Sequence, residues 1–132
     1  MSAVLDASAV LALLFDEPGA DTVAEHIATG ASMSTVNLCE VATILIRHGR
    51  DPVAVLDPLR AQVTIEVFTD ADATTAAALY PLVSATELSL GDRACLALAQ
   101  RLRAPAVTAE HAWTNLNITI DITIDTIRGR RP

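Results

Sequence analysis

The stretch AVLDASAVLALLF, residues 3–15, carries a short apolar run, Ala3-Val4-Leu5, straight into an apolar helical stretch, with the carboxylate of Asp6 at the joint. It reads as a buried strand feeding a helix over 7–15, which Glu17-Pro18-Gly19 breaks. The pattern repeats outward from there. A helix is expected over 20–28 with Val23 and Ile27 on one face, then a brief strand over 31–34. The next helix is expected over 37–47, with Leu38, Val41, Ala42 and Leu45 at core spacing and Gly49 as its stop. Pro52 opens a helix to about residue 62, with Val55, Leu56 and Leu59 inward, and a strand follows over 64–68. Asp70 or Asp72 is expected to cap a helix through Leu82, and Ser89-Leu90-Gly91 leads into another over 92–103. Ala106-Val107-Thr108 reads as a strand. Ile118, Ile120, Ile122 and Ile124 alternate with Thr119, Asp121, Thr123 and Asp125, the mark of a strand wet on one face. Strands interleaved with helices imply an α/β fold, a three-layer α/β/α arrangement around a mainly parallel sheet.

The 132 residues suit one domain, 1–132, with a basic tail from about Arg128 through Arg130 and Arg131. The chain is 52% hydrophobic but only 3% aromatic, so the core must be packed from Ala, Val, Leu and Ile. Sixteen acidic residues face nine basic ones, all Arg, for a net charge of −7. Such a chain gains little from nonspecific attraction to phosphate backbones, which argues against a plain nucleic-acid-binding module. It suits an enzyme that gathers carboxylates around a cation, because the cation reverses the local sign.

Cys39 and Cys95 are too few for a disulfide framework and point to a reducing compartment. The N-terminus lacks a basic region, and the apolar run 7–15 falls well short of the ~20 residues that span a bilayer. A cytoplasmic protein is expected.

In parallel α/β sheets the functional crevice lies beyond the carboxyl ends of the strands. Asp6 ends the first strand, Glu40 lies in the first turn after the second, Asp92 opens a helix starting at the same edge, and Glu110 follows the strand ending at Thr108. Each acid has an ordinary structural explanation: Asp6 as a cap, Asn37 with Glu40 and Ser89 with Asp92 as capping pairs. Four on one edge are harder to explain so. Carboxylates ~4 Å apart repel by ~4 kcal/mol at an effective dielectric of 20, and a hard cation such as Mg²⁺ relieves this with oxygen ligands.

The segments VLDASAVLALLFDEPGAD (4–21), STVNLCEVATIL (34–45), LSLGDRACLALAQRL (88–102) and VTAEHAW (107–113) together resemble the PIN domain, and more narrowly the VapC-type toxins of bacterial toxin–antitoxin pairs. The likeness covers nearly the whole chain in order and spacing. It implies an Mg²⁺-dependent endoribonuclease, with Mn²⁺ able to substitute, that limits translation or growth and acts as a homodimer held in check by a cognate antitoxin. By motif, Asp6, Glu40 and Asp92 would bind metal. The fourth family acid, usually Asp, falls at Glu110, whose extra methylene leaves open whether it meets metal directly or through water. Ser8 and Thr108 match positions near the metal site, where they would bind water or phosphate, or else nearby backbone. Arg93 and Arg47 are candidates for RNA phosphate.

Other readings fit less well. A haloacid-dehalogenase-type phosphatase needs a second acid at position 8, which is Ser. A dinucleotide site needs a glycine-rich turn after the first strand, and Asp6-Ala7-Ser8-Ala9 has none. His26, His48 and His111 have no ligand spacing and read as surface residues; Cys39 reads as a small core residue and Trp113 as a packing anchor. The alternatives that remain are a catalytically silent PIN-like scaffold and a housekeeping RNA-processing nuclease without an antitoxin.

Overall fold

Strands and helices alternate along the chain: β1 (Ala3–Leu5), α1 (Ala7–Leu14), α2 (Ala20–Thr29), β2 (Ala31–Ser34), α3 (Thr35–Arg47), α4 (Pro52–Arg60), β3 (Thr64–Glu66), α5 (Asp70–Val83), α6 (Leu90–Leu102), β4 (Ala106–Thr108) and β5 (Ile124–Thr126). The structure, a computed structural model of the chain, describes residues 2–83, 88–110, 113 and 122–128. The five strands form one sheet in the order β3-β2-β1-β4-β5, and all four pairings are parallel. From β1 the chain steps outward through β2 and β3, then returns to lay β4 against the other side of β1. The strand order therefore reverses between β1 and β4, which is where an open parallel sheet leaves a crevice at its carboxyl edge.

Strand alternation divides the core in two. Val4 and Ala106 point to one face, where they meet Leu79 of α5, Cys95, Leu96, Leu98 and Ala99 of α6, and Trp113. Ala3, Leu5 and Val107 point to the other, against Val10 of α1, Val23 of α2, Val41 and Leu45 of α3, and Leu56 and Leu59 of α4. The sheet is thus covered on both sides, the expected three-layer α/β/α arrangement, and Trp113 is fully buried as an anchor. Gly19 joins α1 to α2 at φ 97°, packed so closely on the Ile127 side chain that a Cβ would overlap it. Among the described residues no helix is long and apolar enough to cross a membrane.

The helix starts follow capping chemistry, with two corrections to the sequence expectation. The Glu40 helix begins at Thr35 rather than Asn37, because Ser34, the last residue of β2, accepts the Val36 N–H and is the cap. The helix over 70–83 is capped by neither Asp70 nor Asp72: Thr69 Oγ1 accepts the Asp72 N–H while Asp72 Oδ2 accepts the Thr69 N–H, a reciprocal pair. The pair expected at Ser89 and Asp92 is present at the start of α6. The expected strand over 64–68 is shorter, Thr64–Glu66; of the C-terminal isoleucine alternation, residues 122 and 123 precede the strand Ile124–Thr126, and residues 118–121 lie outside the described residues.

Asp72 ties the second layer together. Its carboxylate is 3% exposed, yet it accepts Nε and Nη2 of Arg101 at 3.0 and 3.1 Å across the α5–α6 interface. Burial alone would raise this carboxyl, but the hydrogen bonds and charge of Arg101 outweigh it and hold the pKa below 3.8. Replacing Arg101 with Met leaves a buried acceptor without its partner, an expected loss of about 1–3 kcal/mol in urea unfolding at pH 7. Because the folded pKa of Asp72 is depressed, the loss should fade as pH drops through and below that value. Adding Asp72→Asn should recover part of it; an Arg101→Met protein as stable as wild type at pH 7 would rule out this role.

Candidate active site

Asp6 terminates β1 beside the β1–β4 crossover point and is 2% exposed. Three donors hold its carboxylate. Oδ1 accepts the Ala9 N–H at 2.8 Å, which caps α1, and the Ser8 hydroxyl at 2.7 Å; Oδ2 accepts the Thr108 hydroxyl at 2.6 Å. Ser8 Oγ in turn accepts the Ala109 N–H at 2.9 Å, and Thr108 Oγ1 accepts the Glu110 N–H at 3.0 Å. A hydroxyl has one proton. Both protons point at Asp6, so Ser8 and Thr108 orient an acid here and have no proton left to offer substrate.

Burial is the largest influence on Asp6 and pushes its pKa from 3.8 to about 6, against the three hydrogen bonds; the charge of Asp92 adds to the rise. Glu40, half-buried on α3, is also raised, first by burial and then by Asp92, while Asn37 pulls the other way. Asn37 was expected as a helix cap. It sits instead inside α3, 1% exposed, with Nδ2 donating to Glu40 Oε1 at 2.8 Å and to the Gly91 carbonyl at 3.0 Å. It thereby pins the Glu40 carboxylate to the start of α6. Gly91 completes the joint: a Cβ there would collide with the Glu40 carboxylate. The sequence signal was available, since Asn37 stands three residues before Glu40 on the same helical face and Gly91 immediately precedes Asp92.

Asp6, Glu40, Asp92 and Glu110 line one open groove of about 480 Å³, together with Ser8, Leu11, Cys39, Thr43, Ile44 and Arg47. The structure therefore brings all four predicted acids to one groove. They are not drawn onto a single point: among the described residues no three His, Cys, Asp or Glu side chains are grouped closely enough to share an ion. The hydrogen bonds explain why. Asp92 Oδ2 turns back to accept the Ser89 N–H at 2.9 Å, and Glu40 is drawn towards Asn37. Glu110 is exposed at the rim. The donors still suit a hard divalent cation: the four acids offer carboxylate oxygens, and among the described residues none of them is ion-paired to Arg or His. A buried carboxylate without a cationic partner is the kind of group a metal ion neutralises.

The remaining expectations divide. Arg93 does not line the groove; its Nη1 donates to the Ala76 carbonyl at 3.0 Å and its guanidinium lies 5.4 Å from the Tyr80 ring centroid, binding α6 to α5. Arg47 does line it. Cys39 is no core residue but an exposed thiol in the groove wall. Cys95 is fully buried near the acids; burial, then the charges of Asp6, Asp92 and Glu40, keep it a neutral thiol. His48 is exposed as expected, His26 is half-buried against Asp125 at 2.7 Å, and His111 lies outside the described residues.

The family model of the PIN domain matches residues 3–117. No curated protein matches the chain. Among solved structures, VapBC-1 from nontypeable Haemophilus influenzae is similar at a TM-score of 0.74 and 14% identity, covering 96% of this chain and 98% of that one. The toxin VapC20 of Mycobacterium tuberculosis, described as cleaving the sarcin–ricin loop, is similar at 0.71 and 19% identity, covering 92% and 99%. A toxin–antitoxin complex from Klebsiella pneumoniae is similar at 0.68 and 19% identity, covering 86% and 92%. At these identities the likeness is one of fold.

The raised Asp6 pKa has a consequence for stability. The folded chain holds this proton more tightly than the unfolded one, so the contribution is full below pH 3.8 and lost as pH rises through about 6. That amounts to about 3 kcal/mol of stability. In chelator, Asp6→Asn should remove this slope and be more stable than wild type at pH 7.5, with the advantage shrinking towards pH 4. Urea midpoints at a series of pH values measure it; parallel curves for the two proteins would show that Asp6 titrates normally.

Proposed function

The chain belongs to the PIN domain family, and from that premise we propose that it is a metal-dependent endoribonuclease, the toxin of a toxin–antitoxin pair. The observation that carries the reading is the buried, uncompensated Asp6 sharing a groove with Glu40, Asp92 and Glu110 at the carboxyl edge of the sheet. Asp6, Glu40 and Asp92 would hold a Mg²⁺ or Mn²⁺ ion, with Glu110 reaching it directly or through water. Bound there, the ion supplies Lewis-acid polarisation of a phosphodiester and a counter-charge for the developing negative charge.

The protein's own contribution is preorganisation. Ser8, Thr108 and the Ala9 amide fix Asp6 so that it cannot rotate away, and Asn37 fixes Glu40. Asp92 gives one oxygen to the helix cap and has the other available to the groove. Hydrolysis joins a water oxygen to phosphorus and breaks the bond to O3′, leaving a 5′-phosphate and a 3′-hydroxyl. In this reading Glu110, exposed in the groove lining, would take the proton that water loses, and the departing O3′ would take one from solvent. The toxin–antitoxin complexes among the structural relatives support an antitoxin partner, and VapC20 supports RNA as the substrate class. A homodimer belongs to the same proposal.

Cleavage of single-stranded RNA by the purified protein should require Mg²⁺ or Mn²⁺ and stop with chelator. Asp92→Asn keeps an acceptor for the Ser89 amide, so the fold should survive while activity falls about 10²–10³-fold, the loss typical of removing one group that stabilises charge in the transition state. Mn²⁺ at one hundred times its dissociation constant should add about 2.7 kcal/mol to wild-type stability and much less to Asp92→Asn. Undiminished cleavage by the variant, or an equal metal-induced rise in Tm, would reduce Asp92 to a helix cap.

A further inference from the structure

The acidic groove does not end at the acids. A cavity of about 200 Å³ continues from it between α1 and α3, sharing Ser8, Leu11 and Ile44 and adding Phe15, Glu17, His48 and Arg128. Helical spacing sets this course. Glu40, Thr43, Ile44 and Arg47 lie at successive i, i+3, i+4 and i+7 positions of α3 and all face the groove, and Ser8, Leu11 and Phe15 do the same from α1. Seven residues of helix separate Glu40 from Arg47 along the axis by about 10 Å, the reach of a nucleotide or two.

Charge changes sign along that path. Near the sheet edge the groove holds Asp6, Glu40, Asp92 and Glu110; at the far end it holds Arg47, His48 and Arg128, with Arg50 alongside. Among the described residues the only carboxylate lining this cavity is Glu17, which pairs with Arg128 at 2.7 Å, and neither Arg47 nor Arg50 has an acidic partner. In a chain of net charge −7 a cationic cluster is unusual. The wall is also π-rich. The Phe15 and His48 rings stand 5.2 Å apart between centroids, and the Arg50 guanidinium lies 5.8 Å from the centre of Phe15. The Ile44 carbonyl can only accept, so the His48 Nδ1 at 2.9 Å donates to it, and this bond fixes the ring against the wall. Arg128 is aimed by its bonds to Glu17 and to the Pro18 carbonyl at 3.0 Å.

We propose that Phe15, Arg47, His48 and Arg128 form a nucleotide subsite that binds a phosphate and a base of single-stranded RNA beside the bond cut at the acids. Arginine suits phosphate through its forked donors, and unstacked bases pack on aromatic and guanidinium planes. Cations beside a ring surface favour RNA, which brings a phosphate and a base together, over an apolar peptide, which brings neither, and over an acidic one, which brings no base. The inference rests on the nuclease reading for which bond is cut, but not for whether RNA binds.

The test uses the full-length protein with Arg47→Gln at an exposed position and Arg128→Gln at a half-buried one, and Phe15→Leu as a third variant that keeps an apolar wall. Cleavage of a short oligoribonucleotide is followed with Mg²⁺, and binding of the same labelled oligonucleotide is followed by anisotropy across a salt series with Ca²⁺. We expect each arginine variant to raise KM about tenfold with kcat within threefold of wild type. Each should also flatten the slope of log affinity against log salt by about 0.7, the loss of one single-strand phosphate contact. Phe15→Leu should weaken binding without changing the salt slope. If wild type cleaves and KM, affinity and salt slope are unchanged in both arginine variants, the subsite is wrong while the nuclease reading stands, and the groove is left to a protein partner. If wild type does not cleave yet RNA binding still depends on Arg47 and Arg128, the nuclease reading fails and the subsite stands.

Discussion

Burying the Asp6 carboxylate at the point where strand order reverses is the constraint on which the rest of the site depends. An ionised carboxylate in that position has lost its water, and the chain compensates with three hydrogen bonds from Ala9, Ser8 and Thr108 but with no cation among the described residues. The compensation is incomplete, as the rise of the Asp6 pKa to about 6 records. β1 and β4 are joined at their ends by this one side chain, since Thr108 reaches it from β4 while its own backbone starts α1. The interaction that closes the fold at this edge thus also leaves a charge there that favours a metal ion.

The other acids are arranged by the same economy of parts. Glu40 and Asp92 each sit in the first turns of a helix whose amino end faces the carboxyl edge, where unpaired N–H groups favour negative charge. Asn37 and Gly91 lock those two helix starts together, one by bridging Glu40 to the Gly91 carbonyl and the other by having no side chain where the Glu40 carboxylate lies. The result is a groove whose negative end is rigid and whose other end, between Phe15 and Arg128, differs in chemistry.

Much of this was legible before the fold was known, because strand-to-helix boundaries mark the sheet edge and Asp6, Glu40, Asp92 and Glu110 fall on them. What escaped the sequence were matters of angle and of distant partners. Arg93 adjoins Asp92, but one residue of helix turns about 100°, which takes its guanidinium to Ala76 and Tyr80 instead of the groove. Arg47, seven residues from Glu40, returns to the same face. Asn37 was read as a cap although its spacing from Glu40 was open to a side-chain pair; only its second partner, Gly91, 54 residues away, lay beyond any local pattern. Ser34 was read only as strand, although it both ends β2 and caps α3. Cys39 looked like core by composition, while its place beside Glu40 turns it to the groove.

The most direct test of the account is titration calorimetry of Mn²⁺ binding at pH 6 in two buffers of different ionisation enthalpy, which counts protons released per ion. Metal ligands must be deprotonated to bind. With Asp6 near its pKa of about 6 it is half protonated at that pH, so binding should release at least about half a proton, and the release should fall by about that half in Asp6→Asn. Binding that releases no proton in wild type, or that is unchanged in affinity and proton count by Asp6→Asn, would contradict the claim that the buried carboxylate is there to hold metal.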